Sequence, residues 1–182
     1  MIIRIASESD IGGILELQSQ NLYTNLSEVD RVEGFVTTPL TVDHIKTLLT
    51  QTGVFVVEQE ETVVGYTFAG NWDFFSQWAI FPYMVSRFPD LNFQGTKITV
   101  DNTFQYGPVC IRRSLRGSDV LPQLFETMRS NFATRFPIGM TFINKANPRS
   151  LAAHTRKLGL EIIDEFEFNQ NFCCTLAFWT NG

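Results

Sequence analysis

The chain has 182 residues, is 44% hydrophobic and 18% charged, and carries a formal net charge of −5. That balance excludes the intrinsically disordered class, and the excess of acid argues against a general nucleic-acid binder, which shows a basic stripe. No charged-then-apolar leader and no run of 18 or more apolar residues is present, so a cytoplasmic protein that neither spans nor docks on a membrane is expected.

Met1 to Ala6 is a short β-rich run, stopped by Ser7-Glu8-Ser9-Asp10, residues that favour helix N-caps and first turns. Ile11, Ile14, Leu15 and Leu17 then recur at helical spacing, with Gly12 and Gly13 weakening that helix. A second helical pattern starts at Thr41, runs through Ile45, Leu48 and Leu49, and ends before Gly53. Val54 to Glu58 and Thr62 to Ala69 read as a β-hairpin around Gln59-Glu60-Glu61.

Gly70 to Gln105 is crowded with aromatics, and its helical stretch from Asp73 to Phe88 is expected to break or kink at Pro82. The 17 Phe, four Tyr and three Trp of the chain exceed what a minimal core needs. This segment therefore reads either as a satellite hydrophobic cluster or dimer contact, or as a wall for an apolar acceptor, with Trp72, Asp73, Phe75 and Trp78 as candidate contacts.

Tyr106 to Ile111 returns to strand character, and Ser118 to Phe132 is a helix with Leu121, Leu124, Phe125 and Met128 on one face and Pro122 in its first turn. Gly139 to Asn144 is a strand, and Pro148 to Leu158 a helix closed by Gly159. Two strands, Glu161 to Phe168 and Phe172 to Phe178, complete the order. Cys110, Cys173 and Cys174 lie in apolar strands and read as buried free thiols of a reducing compartment. The chain is expected to be one α/β domain over residues 1–182, with residues 70–105 as an insertion. No metal site is expected.

Two segments carry chemistry. From Ile111 to Leu121 a strand ends, a loop with Arg112, Arg113 and Arg116 follows, and a helix begins. Helix N-termini present backbone N–H groups and a positive dipole end to anions, so this junction is either a polyanion site or an ordinary turn with solvated arginines. In the second, Asn147 before Pro148 is a helix cap, and Ser150 and His154 share one helix face four residues apart. A histidine there is either a proton-exchanging group or a buried structural one.

Together these segments resemble the GNAT superfamily of acyl-CoA N-acyltransferases, over most of the chain from Met1 to Phe178 in element order. Val109, Cys110 and Ile111 match the strand whose backbone pairs with pantetheine. Arg116-Gly117, followed by Ser118, Asp119, Val120 and Leu121, match the pyrophosphate loop, with Arg112 and Arg113 nearby. Asn147, Ser150 and His154 are similar to the N-x-x-S-x-x-x-(Y/H) helix along the pantetheine. The departures are Asp119 and Leu121 in place of loop glycines, His154 where Tyr is usual, no Glu between Tyr106 and Ile111, and one extra residue between His154 and Gly159. The resemblance implies a mostly antiparallel sheet flanked by helices, acetyl-CoA as co-substrate, a small-molecule or peptide amine as acceptor, and His154 as proton donor to the departing thiolate. Asp73 and Asp101 are the candidate bases flanking the insertion. A degenerate domain that binds CoA or a partner without turnover stays open, and a homodimer is compatible with the aromatics and terminal strands.

Overall fold

The computed structural model describes residues 1–182. In chain order the elements are β1 (Ile2–Ile5), α1 (Ile11–Asn21), α2 (Glu28–Arg31), α3 (Val42–Thr50), β2 (Val54–Gln59), β3 (Thr62–Gly70), α4 (Trp72–Phe75) and α5 (Ile80–Arg87). There follow β4 (Asn92–Phe93), β5 (Thr96–Lys97), β6 (Thr103–Ile111), α6 (Val120–Phe132), β7 (Ile138–Asn144), α7 (Pro148–Ala152), β8 (Glu161–Phe168) and β9 (Asn171–Trp179). Seven strands hydrogen-bond in the order β1-β2-β3-β6-β7-β9-β8, and β4 pairs with β5 apart from them. β6 and β7 run parallel. The β1–β2, β2–β3, β7–β9 and β8–β9 pairs are antiparallel, so the expected mixed, mostly antiparallel sheet is present. No helix is long and apolar enough to cross a membrane.

Contacts gather the chain into two compact units, Met1–Ala69 with Gly107–Met128, and Gly70–Tyr106 with Arg129–Gly182. In the first, α1 buries Ile11, Ile14 and Leu17 of the helical stripe read from the sequence, leaves Leu15 half-buried, and adds the polar Gln18 and Asn21. Gly13 is more than a weak point of that helix. A Cβ there would come within 2.9 Å of Val63 Cγ2, so glycine lets α1 approach β3 closely. Thr41 caps α3 reciprocally: its hydroxyl accepts from His44 N–H at 3.3 Å, while His44 Nδ1 accepts from Thr41 N–H at 3.1 Å. The β2–β3 hairpin turns on Glu60 and Glu61, both at positive φ, as a tight two-residue hairpin requires.

In the second unit the aromatic insertion forms core. Trp72, Phe75, Phe81 and Phe88 are buried against one another, and Phe81 meets Phe142 of β7 at 5.7 Å between ring centroids. Trp72 Nε1–H donates to Thr103 Oγ1 at 2.9 Å. Arg87 of α5 grips Asp164 of β8 through two hydrogen bonds of 2.5 and 2.8 Å. A second cluster stacks Phe104 on Phe132, with Phe136 and Phe178 around them. The helical break does not fall at Pro82. It lies between Phe75 and Ile80, and Pro82 occupies the first turn of α5, where a missing N–H leaves no carbonyl unpaired.

Candidate functional site

β6 and β7 pair over only three residues, Thr103↔Ile138, Phe104↔Gly139 and Gln105↔Met140. Beyond them Gly107 takes a positive φ of 106° and Pro108 has no N–H to offer a ladder. The end of the strand is still held on its β3 side, where Arg112 N–H donates to Val64 C=O at 2.8 Å. The side chains of Cys110 and Ile111 are buried and Val109 is half-buried. Burial pushes the Cys110 thiol up to about 12, which keeps it protonated and unreactive at neutral pH.

The loop after β6 folds tightly on itself. Leu115 N–H donates to Arg112 C=O, Arg116 N–H to Arg113 C=O, and Ser118 Oγ–H to Leu115 C=O. Ser118 Oγ in turn accepts from Val120 N–H at 3.3 Å, supporting the first turn of α6. Asp119 is exposed, and its carbonyl accepts from Gln123 N–H, so it stands where the helix starts. Gly117 has φ of 84°, yet a Cβ there would meet nothing within 4 Å. The glycine is needed for the left-handed turn, and crowding plays no part. Val120 is buried and Leu121 half-buried in the first turn of α6.

The three arginines have different surroundings. Arg116 donates from each guanidinium nitrogen: Nε to Ile111 C=O at 2.9 Å, Nη1 to Glu33 C=O at 2.6 Å, and Nη2 to Asn21 Oδ1 at 2.5 Å. Burial pulls its pKa below the usual arginine range, although arginine stays charged at any physiological pH. Arg113 reaches Asp30 at 3.1 Å in an exposed ion pair. Arg112 is exposed. All three line a cleft of about 320 Å³ with Asn21, Asp30 and Glu33. Of the three arginines at this loop, Arg116 is the one whose guanidinium is held by the protein on all three nitrogens.

In the second unit Asn147 caps α7, its Oδ1 accepting from Ser150 N–H at 3.3 Å. The helix continues past Ala152 into a π-helical turn over Ala153–Lys157, where Leu158 N–H donates to Ala153 C=O. A π turn holds one more residue per hydrogen-bonded ring than an α turn, enough to take up a spacing one residue longer before Gly159. His154 lies in that turn and is buried. Its Nδ1 is 2.8 Å from Ser150 C=O, which can only accept, so Nδ1 carries the proton. Nε2 is then a lone pair, and it receives the Tyr106 hydroxyl at 3.2 Å. Burial lowers the histidine pKa and raises that of Tyr106. A neutral ring with both nitrogens engaged is poorly placed to give a proton to a thiolate. Ser150 is half-exposed beside it, its Oγ 3.4 Å from Nδ1.

Of the residues expected at the acceptor, Trp72 and Phe75 are buried in the insertion's core, 4% and 0% exposed, so their faces are already occupied. Trp78 is half-buried against Phe74, Phe75 and Phe81. Asp73 is exposed in the first turn of α4, and Asp101 is exposed before β6. Sequence reasoning missed Tyr106 and Asn21. Asn21 did carry a signal, as a polar residue four positions after Leu17 on the apolar stripe of α1. Tyr106 looked like one more strand aromatic.

No known family's sequence profile matches the chain, and no curated protein does. Its fold, however, has many solved relatives. A ribosomal-protein-alanine N-acetyltransferase from Brucella melitensis aligns over 98% of this chain and 99% of its own, with 19% identity and a TM-score of 0.60. A protein from Salmonella typhimurium solved with its cofactor acetyl-CoA aligns over 100% and 95%, with 15% identity and a TM-score of 0.66. A GNAT superfamily phosphinothricin acetyltransferase from Sinorhizobium meliloti, in complex with acetyl-CoA, aligns over 98% and 87%, with 16% identity and a TM-score of 0.61. The chain has the GNAT acetyltransferase fold.

Proposed function

We propose that this protein is an N-acyltransferase that moves an acetyl group from acetyl-CoA to a primary amine. The observation that carries the reading is the module from Gly107 to Phe132: a strand end tied only on its β3 side, an arginine-bearing loop, and the start of α6. The backbone from Val109 to Ile111 would hold the pantetheine arm. The loop from Gly117 to Leu121 and the positive end of α6 would hold the diphosphate, with the exposed Arg112 as its cation. On the resemblance, Asn147 and Ser150 of α7 are further candidate contacts for the co-substrate, and Asp73 and Trp78 candidate contacts for the acceptor.

In the transfer, the free-base amine nitrogen attacks the thioester carbonyl, a C–N bond forms, and the C–S bond breaks. The amine's surplus proton passes to water or to a carboxylate. CoA leaves as a thiolate whose pKa, about 8.5 for an ordinary thiol, makes departure feasible without an acid. His154 then serves to hold Tyr106 and the π turn.

Acetyl-CoA is expected to raise the melting temperature. At a hundred times the dissociation constant the linkage is about 2.7 kcal/mol, or roughly 5 to 10 °C for a chain of this size. No shift at millimolar acetyl-CoA would sink the reading. A second reading, binding without turnover, draws on the neutral, enclosed His154 and on Asp119 at the loop. Thiol release over a panel of small amines and peptide N-termini separates the two. Binding without release on any of them supports the second.

A further inference from the structure

We infer that Arg116 is a positioning residue, which shapes the loop after β6 by tying it to Asn21 and Glu33, and that it does not itself touch the acyl-CoA phosphates. The inference rests on the acyl-CoA reading for its functional meaning, while the geometry stands without it.

Each guanidinium nitrogen of Arg116 already donates to a neutral oxygen of the protein. Turning the group toward a phosphate would break several of these bonds and leave acceptors on buried or half-buried residues without donors, at about 1–3 kcal/mol for each orphaned group. The acceptors are also fixed from behind. Asn21 is buried at the end of α1, and its Nδ2–H donates to Leu17 C=O at 2.8 Å, which settles that Oδ1 faces Arg116. The Asn21 carbonyl accepts from Val36 N–H at 2.9 Å, and Tyr23 N–H returns a bond to Val36 C=O. The Ile111 carbonyl belongs to the last residue of β6. Arg116 therefore spans three backbone segments, the end of β6, the end of α1 and the turn after α2, at the point where the loop must reverse through Gly117. Its planar fork can satisfy three divergent acceptors at once, which an ammonium cannot.

The test compares Arg116→Ala, Arg116→Lys, Asn21→Ala and the Arg116→Ala/Asn21→Ala pair with the wild-type protein. Thermal melts check that each variant folds. Two readouts follow: acetyl-CoA affinity by calorimetry at several salt concentrations, and amide hydrogen exchange of residues 112–119 in the ligand-free protein. Exchange across the loop is expected to quicken in every variant. Affinity is expected to fall about tenfold or more in each single variant, with the double no weaker than the worse single, because both remove one unit. The salt dependence of binding should match wild type, since no phosphate contact is lost. The inference is overturned if Arg116→Lys binds acetyl-CoA like wild type, or if Asn21→Ala binds normally while Arg116→Ala loses both affinity and salt dependence. If the wild-type protein fails to bind acetyl-CoA, the proposed function falls, and the positioning role is then decided by exchange alone. Unchanged exchange in Asn21→Ala and Arg116→Lys rejects it.

Discussion

The Tyr106 hydroxyl donates to Nε2 of His154, and Ser150 C=O accepts from Nδ1 on the other side of the ring. The histidine is thereby fixed as one neutral tautomer. Tyr106→Phe keeps the ring and its edge-on packing against Phe178 but leaves the buried Nε2 without a donor. A loss of about 1–3 kcal/mol in denaturant unfolding is expected. His154→Gln is expected to lower stability more than kcat. A collapse of kcat in a variant that stays folded would restore the histidine to the chemistry.

The same ring makes a pH prediction. Folding lowers the proton affinity of His154, so below about pH 6.5 the unfolded chain holds more protons than the folded one. Its contribution is therefore complete above that pH and is lost as pH falls. The slope is at most about 1.4 kcal/mol per pH unit. Melting curves of wild type and His154→Gln should converge between pH 7.5 and 5.5. Parallel curves would show that the histidine is not buried neutral.

Gly139 lies on β7 under the ring of Phe178, which also packs edge-on against Phe104 and Tyr106. A Cβ at this position would land on that ring, and the ring has neighbours on its other sides. Gly139→Ala should cost about 1–3 kcal/mol by overpacking. Chemical denaturation measures it, and a neutral outcome would mean that Phe178 can swing aside.

Gly117→Ala tests conformation apart from crowding. With φ of 84° and an open surrounding, the substitution should cost only the strain of a left-handed alanine, about 1 kcal/mol. A much larger loss in thermal unfolding would point to a close contact at the loop.

Arg87 and Asp164 join the aromatic insertion to β8 by a two-pronged ion pair, with the arginine side chain 33% exposed. Solvent screening keeps its worth modest. Arg87→Ala should cost about 1 kcal/mol, and Arg87→Lys should recover only part of it, because one ammonium cannot match two oxygens. Urea titrations at low and high salt check both, the difference shrinking as salt rises.

The elements most legible in the sequence were those with strong local signals. The α1 stripe, the start of α3 near Thr41, the β2–β3 hairpin and the Asn147 cap depend on residues within one turn or one hairpin. What stayed hidden depends on partners far along the chain. The three loop arginines read alike as neighbours of phosphate because nothing near Arg116 announces Asn21, 95 residues away. Trp72 and Phe75 read as acceptor contacts because an aromatic cluster looks alike whether it faces solvent or the rings of Phe81 and Phe88. Pro82 reads as a helix breaker, since the sequence does not say that α5 starts two residues earlier. The short α2 and the β4–β5 hairpin fall below the length at which periodicity can register.

The turn at Ala153–Lys157 bears on how such a chain can change length. An inserted residue in an α-helix would ordinarily rotate everything after it by roughly 100°. Here the surplus is confined to one widened ring, so the cap at Asn147 and the start of β8 keep their stations on either side of it. The turn behaves as a slack link, and the extra residue should be removable. Deleting Arg156, which is exposed, should let the segment close into ordinary α-helix with Leu160 still buried and the chain still folded. The same one-residue deletion within α6, where no slack exists, should unfold it.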